Sequence, residues 1–347
     1  MIKKIAYSYF ILCQLTIWGL FSGCTTTSKA NRFQFKGEKI KGVSLVAPRE
    51  PLADSTYLPV KNVKAEWVSI MPYGFIEPGK PHFHYGKNKE WKWWGETPQG
   101  AAESIRMAHA HGLKVMLKPH IWIGRGTFTG HFELTTEADW VIFEKEYAEY
   151  LLDFARVADS TEVEIYCIAT EMQRFVARRP AFWQRIIPEI RAIYHGKLTY
   201  AENWDAYQEV PFWHELDFIG VDAYFPLSEQ RSPSGQALKK GWQKPLRALE
   251  AYAAHQQKPI LFTEFGYLST DYAARRPWET DRSQPANEDL QAQAYRVFFD
   301  EVWRQDWMAG GFVWKWFPEL ARGQKARDPY SPQHKPAEQV LREHFGK

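Results

Sequence analysis

The chain has 347 residues, of which 45% are hydrophobic and 24% charged, with a formal net charge of +3. That balance belongs to a folded globular protein and excludes a disordered chain, and so small a basic excess gives no reason to expect a nucleic-acid partner. The length exceeds the roughly 250 residues of a bare (β/α)8 barrel but suits one with insertions, so a single catalytic-sized domain over residues 37–347 is expected rather than two.

Residues 1–23 read as a secretory signal, with Lys3 and Lys4 as the basic start, an apolar run over 5–21 and Ser22-Gly23 as a small-residue exit. The segment LFSGC, ending at Cys24, resembles a bacterial lipobox, which predicts acylation of Cys24. Residues 24–36 then read as a polar tether, and the protein is expected at the cell envelope, held to the outer membrane or a periplasmic face by lipid alone. An ordinary cleaved signal and an uncleaved anchor are the alternatives. Cys13 leaves with the signal and Cys167 sits alone in an apolar run, so no disulfide framework exists.

Short apolar runs alternate with helix-period segments, the pattern of repeated βα units. The first strand is read at 41–47. The second, at 65–75, leads into an aromatic loop with Trp91, Trp93 and Trp94, where the core explanation for tryptophan is weaker and indole faces are suited to stack on the C–H face of a pyranose. Thr97 followed by Pro98 starts a helix that Gly112 closes. The third strand, 114–121, carries Lys118 and His120 at one parity, hence on one face. After a loop with Trp122, Arg125 and Phe128 comes a helix over about 136–158, capped by Thr135 or Thr136.

The fourth strand, EIYCIATEM at 164–172, ends on Glu171. A helix at about 181–194 precedes the fifth, KLTYAENW at 197–204, ending on Asn203 and Trp204. The sixth, FIGVDAYFP at 218–226, places Asp222 and Tyr224 at one parity. A helix over 236–256 leads to the seventh, PILFTEFGY at 259–267, ending on Glu264. Residues 269–286 read as a mouth loop, 288–305 as a helix, 310–317 as the eighth strand with Trp314 and Trp316 on one face, and 336–345 as a closing helix.

A lone Glu after an apolar strand is an ordinary solvated cap. Two, on strands of one parallel barrel, both emerge at the C-terminal mouth, where such barrels keep their chemistry, and paired carboxyls are what glycoside hydrolysis requires. No metal site is expected: His109 and His111 are two apart on a helix, HELD at His214 lacks a second His, and His82 with His84 has no third ligand in register. No phosphate loop or other cofactor motif appears.

LKPH, TEM, ENWD, VDAYFPL, TEFGY, VWKWFP and YSPQHKPA, in this order across roughly 41–345, resemble glycoside hydrolase family 113. The resemblance implies a retaining (β/α)8 glycosidase acting mainly on β-1,4-mannan or manno-oligosaccharides, with Glu171 as acid/base and Glu264 as nucleophile. It also implies Tyr224 as the partner that holds Glu264 charged. Many members of the wider clan have Asn directly before the acid/base; Thr170 stands there, and Asn203 is the amide left to meet the sugar 2-OH. Lys118, His120, Asn203, Trp204 and Asp222 are candidate sugar contacts, the alternative for Lys118 being an ion pair with Asp222. Trp314 or Trp316 is the candidate stacking platform. A monomer is expected. The competing readings keep the mechanism with another β-glycan or a β-mannoside, or make the chain a non-catalytic glycan-binding lipoprotein.

Overall fold

In the computed structural model, residues 32–87, 93–279, 283–318, 320 and 328–347 are described, with the side chain of residue 125 excepted. The signal region, Cys24 and Trp91 lie outside them. Among the described residues no helix is long and apolar enough to cross a membrane.

Strands β1 (Ile40–Leu45), β2 (Trp67–Ile70), β3 (Tyr73–Ile76), β4 (Phe83–His84), β5 (Lys114–Leu117), β6 (His120–Ile123), β7 (Ile165–Thr170), β8 (Lys197–Asn203), β9 (Ile219–Asp222), β10 (Ile260–Phe265) and β11 (Met308–Trp316) follow in chain order. β1, β2, β5 and β7 to β11 close into an eight-stranded barrel, and β4, β3 and β6 form a small separate sheet. Every ring pairing is parallel, as βα repetition requires. The helices are α1 (Leu58–Asn62), α2 (Pro98–Ala110), α3 (Glu137–Ser160), α4 (Gln173–Arg178), α5 (Pro180–Ile193), α6 (Gly235–Gln256), α7 (Glu288–Glu301) and α8 (Pro336–Phe345).

Helix starts follow their local chemistry. Thr97 Oγ1 accepts from Gly100 N at 2.9 Å to cap α2, Thr136 Oγ1 accepts from Asp139 N at 3.1 Å to cap α3, and Asn287 Oδ1 accepts from Leu290 N at 3.0 Å to cap α7.

Two expected strands prove to be two elements each. The apolar run 65–75 breaks at Pro72 and 114–121 breaks at Pro119, because proline has no N–H to give a ladder. The halves before the breaks, β2 and β5, stay in the barrel; β3 and β6, after them, pair with each other above it.

The lower barrel is filled by Ile40, Met116, Ile165, Cys167, Leu261 and Phe312, with Phe218 and the ring of Phe35 beneath them. Phe35, which falls within the expected tether 24–36, packs on this floor: its N donates to Asp306 O at 2.8 Å and its ring centroid lies 6.4 Å from that of Phe218. Partial burial of that ring covers the closed end of the barrel. Trp93 is held by Arg49, whose guanidinium lies 4.5 Å from its ring centroid, and Trp94 N donates to Arg49 O at 2.9 Å, so both pin their loop to the segment after β1.

Candidate active site

Above the apolar floor the interior turns polar. Three rim strands gain one residue relative to a neighbour. From Cys167 to Thr170 β7 advances three residues against two on β8, and from Phe262 to Glu264 β10 advances two against one on β9. From Val313 to Trp316 β11 advances three against two on β1. A bulge of this kind re-aims the side chains that follow it. On β7 and β10 those side chains are Glu171 and Glu264, and both open into one cavity of about 650 Å³. On β11 the bulge separates the two tryptophans expected to share a face. Trp314 lines that cavity, whereas Trp316 is buried and borders a different hollow with Leu58, Pro59 and Pro318.

Glu264 is held on both oxygens. Oε1 forms a very short contact with Lys118 Nζ, and Oε2 accepts from Tyr224 OH at 2.8 Å. Lys118 is fully buried and also donates to Asp222 Oδ1 at 3.1 Å and Oδ2 at 3.2 Å; Thr263 Oγ1 donates to Asp222 Oδ1 at 2.7 Å. Lys118 and Asp222 thus form the ion pair that was the alternative to sugar contact, extended to Glu264. Burial alone would lower the Lys118 pKa, but Asp222 and then Glu264 outweigh it and the net direction is upward, so the ammonium stays charged. Burial, followed by the charge of Asp222, pushes Glu264 up to about 7 against the pull of Lys118 and Tyr224. Those two donors bring the ionised form of Glu264 within reach of neutral pH.

Glu171 has the opposite surroundings. It sits at a φ of 52°, its N donates to Ala201 O at 2.7 Å, and among the described residues its carboxyl receives no hydrogen bond. Burial, then the charges of Asp222 and Glu264, drives it well above the usual carboxylate range. The two carboxyls thus have unlike surroundings, Glu171 favouring its proton more strongly than Glu264 does, an arrangement suited to one acid and one base.

His120 lies beside this pair. Its Nε2 is 3.6 Å from Glu264 Oε1, too far for a hydrogen bond, and is buried without a partner among the described residues. Its ring is 4.9 Å from Tyr73 and stacks at 21° on Trp314 across 6.0 Å. Burial, then the charge of Lys118, lowers its pKa well below the ordinary value, leaving a neutral imidazole buried between Tyr73, Trp314 and Glu264. The break at Pro119 does not disturb the expected parity: Lys118 bonds Glu264 and His120 lies beside the same carboxyl.

Asn203 and Trp204 also line the cavity, with Asn203 Nδ2 donating to Asp205 Oδ1 at 2.9 Å. Strand ends alone do not supply the remaining walls: Asp205, His131, Trp278 and Tyr330 come from the connections between strands and helices, Trp122 from β6 and Phe128 from the loop after it. Trp278 stacks on Trp204 with centroids 5.4 Å apart and 23° between planes, and remains 46% exposed. Tyr330 packs 6.0 Å from Tyr224; the only sequence signal for it was its place at the head of YSPQHKPA.

The model of Glycoside Hydrolase Family 113 matches residues 57–333. Among solved structures, a family 113 β-mannanase from Alicyclobacillus acidocaldarius, in complex with ManMIm, is 25% identical, with a TM-score of 0.77 over 90% of this chain and 98% of that one. A complex of a family 113 β-1,4-mannanase is 24% identical, with a TM-score of 0.77 over 90% and 100%. A β-glucuronidase from Ruminococcus gnavus shares the fold at 11% identity and a TM-score of 0.60, over 88% of this chain and 50% of its own. No curated protein sequence matches the chain.

Proposed function

Because the chain belongs to Glycoside Hydrolase Family 113, we propose that this glycoside hydrolase cleaves β-1,4-linked mannan or manno-oligosaccharides with retention of configuration. Glu264 acts as nucleophile and Glu171 as acid/base. The observation that carries the reading is the asymmetry of the two carboxyls in one cavity: Lys118 and Tyr224 donate to Glu264 and favour its anion, while Glu171 receives no such donor among the described residues and its burial, then the negative charges around it, favour its proton. The mannan preference is supported by the family 113 mannanase at 25% identity.

In the first step a Glu264 carboxylate oxygen attacks the anomeric carbon as the glycosidic C–O bond breaks, and Glu171 gives its proton to the departing oxygen. The attack moves negative charge out of the Lys118 and Tyr224 contacts, so these two donors position the nucleophile without touching sugar. In the second step Glu171, now a carboxylate, takes a proton from water, whose oxygen attacks the same carbon and releases Glu264. Two inversions restore the starting configuration, a route that requires carboxyls about 5–5.5 Å apart.

Trp314 is the stacking platform under the sugar at the cleavage point, with neutral His120 stacked on it and free to bond a hydroxyl. Asn203 supplies the amide that Thr170 cannot. Trp204 with Trp278 provides a second aromatic wall for a further sugar. Buried Trp316 has a packing role, and Asp222 acts by holding Lys118. The lipobox-like segment ending at Cys24 supports a lipid-anchored enzyme of the bacterial envelope.

Proton NMR of the first product released from manno-oligosaccharides tests the mechanism: the anomer of the substrate is expected, and an inverted anomer would refute it. Should a panel of mannan, glucan and xylan oligosaccharides be turned over only outside the mannan set, the substrate assignment falls while the mechanism stands.

A further inference from the structure

One buried carboxylate beside the cavity has no part in the double displacement. We propose that Glu202 is a positioning residue for the acid/base, fixing through Tyr200 the stretch of backbone that carries Glu171. This rests on the reading of Glu171 as the acid.

Glu202 lies on β8 at 1% exposure. Its Oε2 accepts from Tyr200 OH at 2.8 Å and its Oε1 accepts from Asn203 N at 2.9 Å. With its proton committed to Glu202, the Tyr200 oxygen turns a lone pair outward and accepts from Met172 N at 2.8 Å. One residue earlier, Glu171 N donates to Ala201 O at 2.7 Å. Two successive peptide N–H groups at the acid/base are therefore anchored to β8, one by its backbone and one by the Glu202–Tyr200 pair.

The anchorage answers a local need. Glu171 follows a bulge and has a φ of 52°, a left-handed conformation that a residue with a Cβ keeps only where its surroundings over-determine it. Asn203, whose amide is the proposed sugar contact, is fixed by the same carboxylate through its own N–H. One buried group thus sets the backbone of an acid on β7 and of a binding residue on β8.

A neutral amide has one oxygen and could accept from only one of Tyr200 OH and Asn203 N, whereas the carboxylate accepts from both, although burying it is costly. Its charge has a use here, because a nearby anion favours the protonated form of Glu171. The titratable groups around Glu202 are Tyr200, Asp205 and Asp222; Glu171 beyond them faces Asp222, Glu264 and Lys118 as well as Glu202. Burial lifts Glu202 itself to about 7 against the Asn203 and Tyr200 hydrogen bonds, so it is ionised on the alkaline side, where the general acid loses its proton.

The test compares wild type with Glu202→Gln and Tyr200→Phe on aryl β-manno-oligosaccharides carrying a phenyl or a dinitrophenyl leaving group. A mispositioned acid penalises the leaving group that needs its proton. Both variants are expected to lose roughly tenfold or more in kcat/KM on the phenyl substrate and less than about threefold on the dinitrophenyl one. In Glu202→Gln the alkaline limb of the kcat/KM profile should also move to lower pH, while Tyr200→Phe, which keeps the charge, shows the leaving-group effect with a smaller move. Equal losses on the two substrates would make Glu202 a merely structural acid and overturn the proposal, and if Glu202→Gln fails to fold, Tyr200→Phe decides by the leaving-group comparison alone. A Glu171→Ala control without leaving-group dependence would instead remove Glu171 as the acid, a failure seen in that variant and separable from this one.

Discussion

Glu264 and Glu171 leave the same ring of strands with β8 and β9 between them, one strand-end carboxyl gripped at both oxygens by side chains and the other fixed through its peptide backbone with its carboxyl ungripped. The same residue type on two similar strand ends becomes base-like or acid-like according to which atoms the barrel holds. Direct donors to a carboxylate stabilise its anion; donors and acceptors spent on the backbone place the group and leave its proton alone. Asp222 links the two walls. Its charge raises both glutamates, and Lys118, which it holds, lowers both, but only Glu264 receives the Lys118 hydrogen bond as well.

Removing the gripped carboxyl breaks the comparison most severely. Glu264→Ala should cost roughly 10⁴-fold or more in kcat, measured on any β-manno-oligosaccharide the wild type turns over, and this loss should be the same for good and poor leaving groups. Glu171→Ala should cost about 10²–10⁴-fold where the leaving group needs a proton and far less in the first step with dinitrophenyl, so that leaving-group dependence separates the two walls.

Lys118→Met attacks the grip and leaves the carboxyl. It strands two buried acids, Asp222 and Glu264, so a loss of about 3–5 kcal/mol in unfolding free energy is expected by denaturant titration. The acid limb sharpens the point. With Glu264 as the proposed nucleophile, activity is expected to fall as pH drops through the pKa of Glu264, pushed up to about 7 in the free enzyme. Without the ammonium that pKa rises, so the acid limb of kcat/KM should move to higher pH; an unmoved limb would mean that Lys118 does not set the charge of Glu264.

The smallest effect is expected at the rim. Trp278→Ala removes a half-exposed ring stacked on Trp204, and a lost aromatic contact of about 0.5–1.5 kcal/mol predicts a rise in KM of roughly twofold to twelvefold. The rise should be confined to oligosaccharides long enough to reach it, with short aryl glycosides unaffected.

Much of this arrangement was legible beforehand because it depends on strand-end position and residue type. Glu171, Glu264 and Tyr224 follow apolar runs in a βα alternation, and the barrel mouth then collects them. The lysine and aspartate could not be decided from sequence, since a Lys at a strand end looks the same whether it meets sugar or acid; full burial of its side chain is a property of the closed ring. Trp316 misled for a geometric reason, as parity counts assume an unbroken pleat and β11 carries a bulge between Val313 and Trp316. The over-long second and third strands ignored Pro72 and Pro119, a signal that was present and outweighed by the apolar residues around it. Trp278 and Tyr330 arrive from loops, whose path no periodicity records.

Trapping with a 2-deoxy-2-fluoro-β-mannosyl fluoride, followed by digestion and mass spectrometry of the labelled peptide, tests the assignment of the two walls most directly. The account predicts one sugar on the peptide that carries Glu264, with Glu171 unmodified. A label on Glu171, or no covalent adduct from an enzyme that turns over its substrate with inversion, would contradict it.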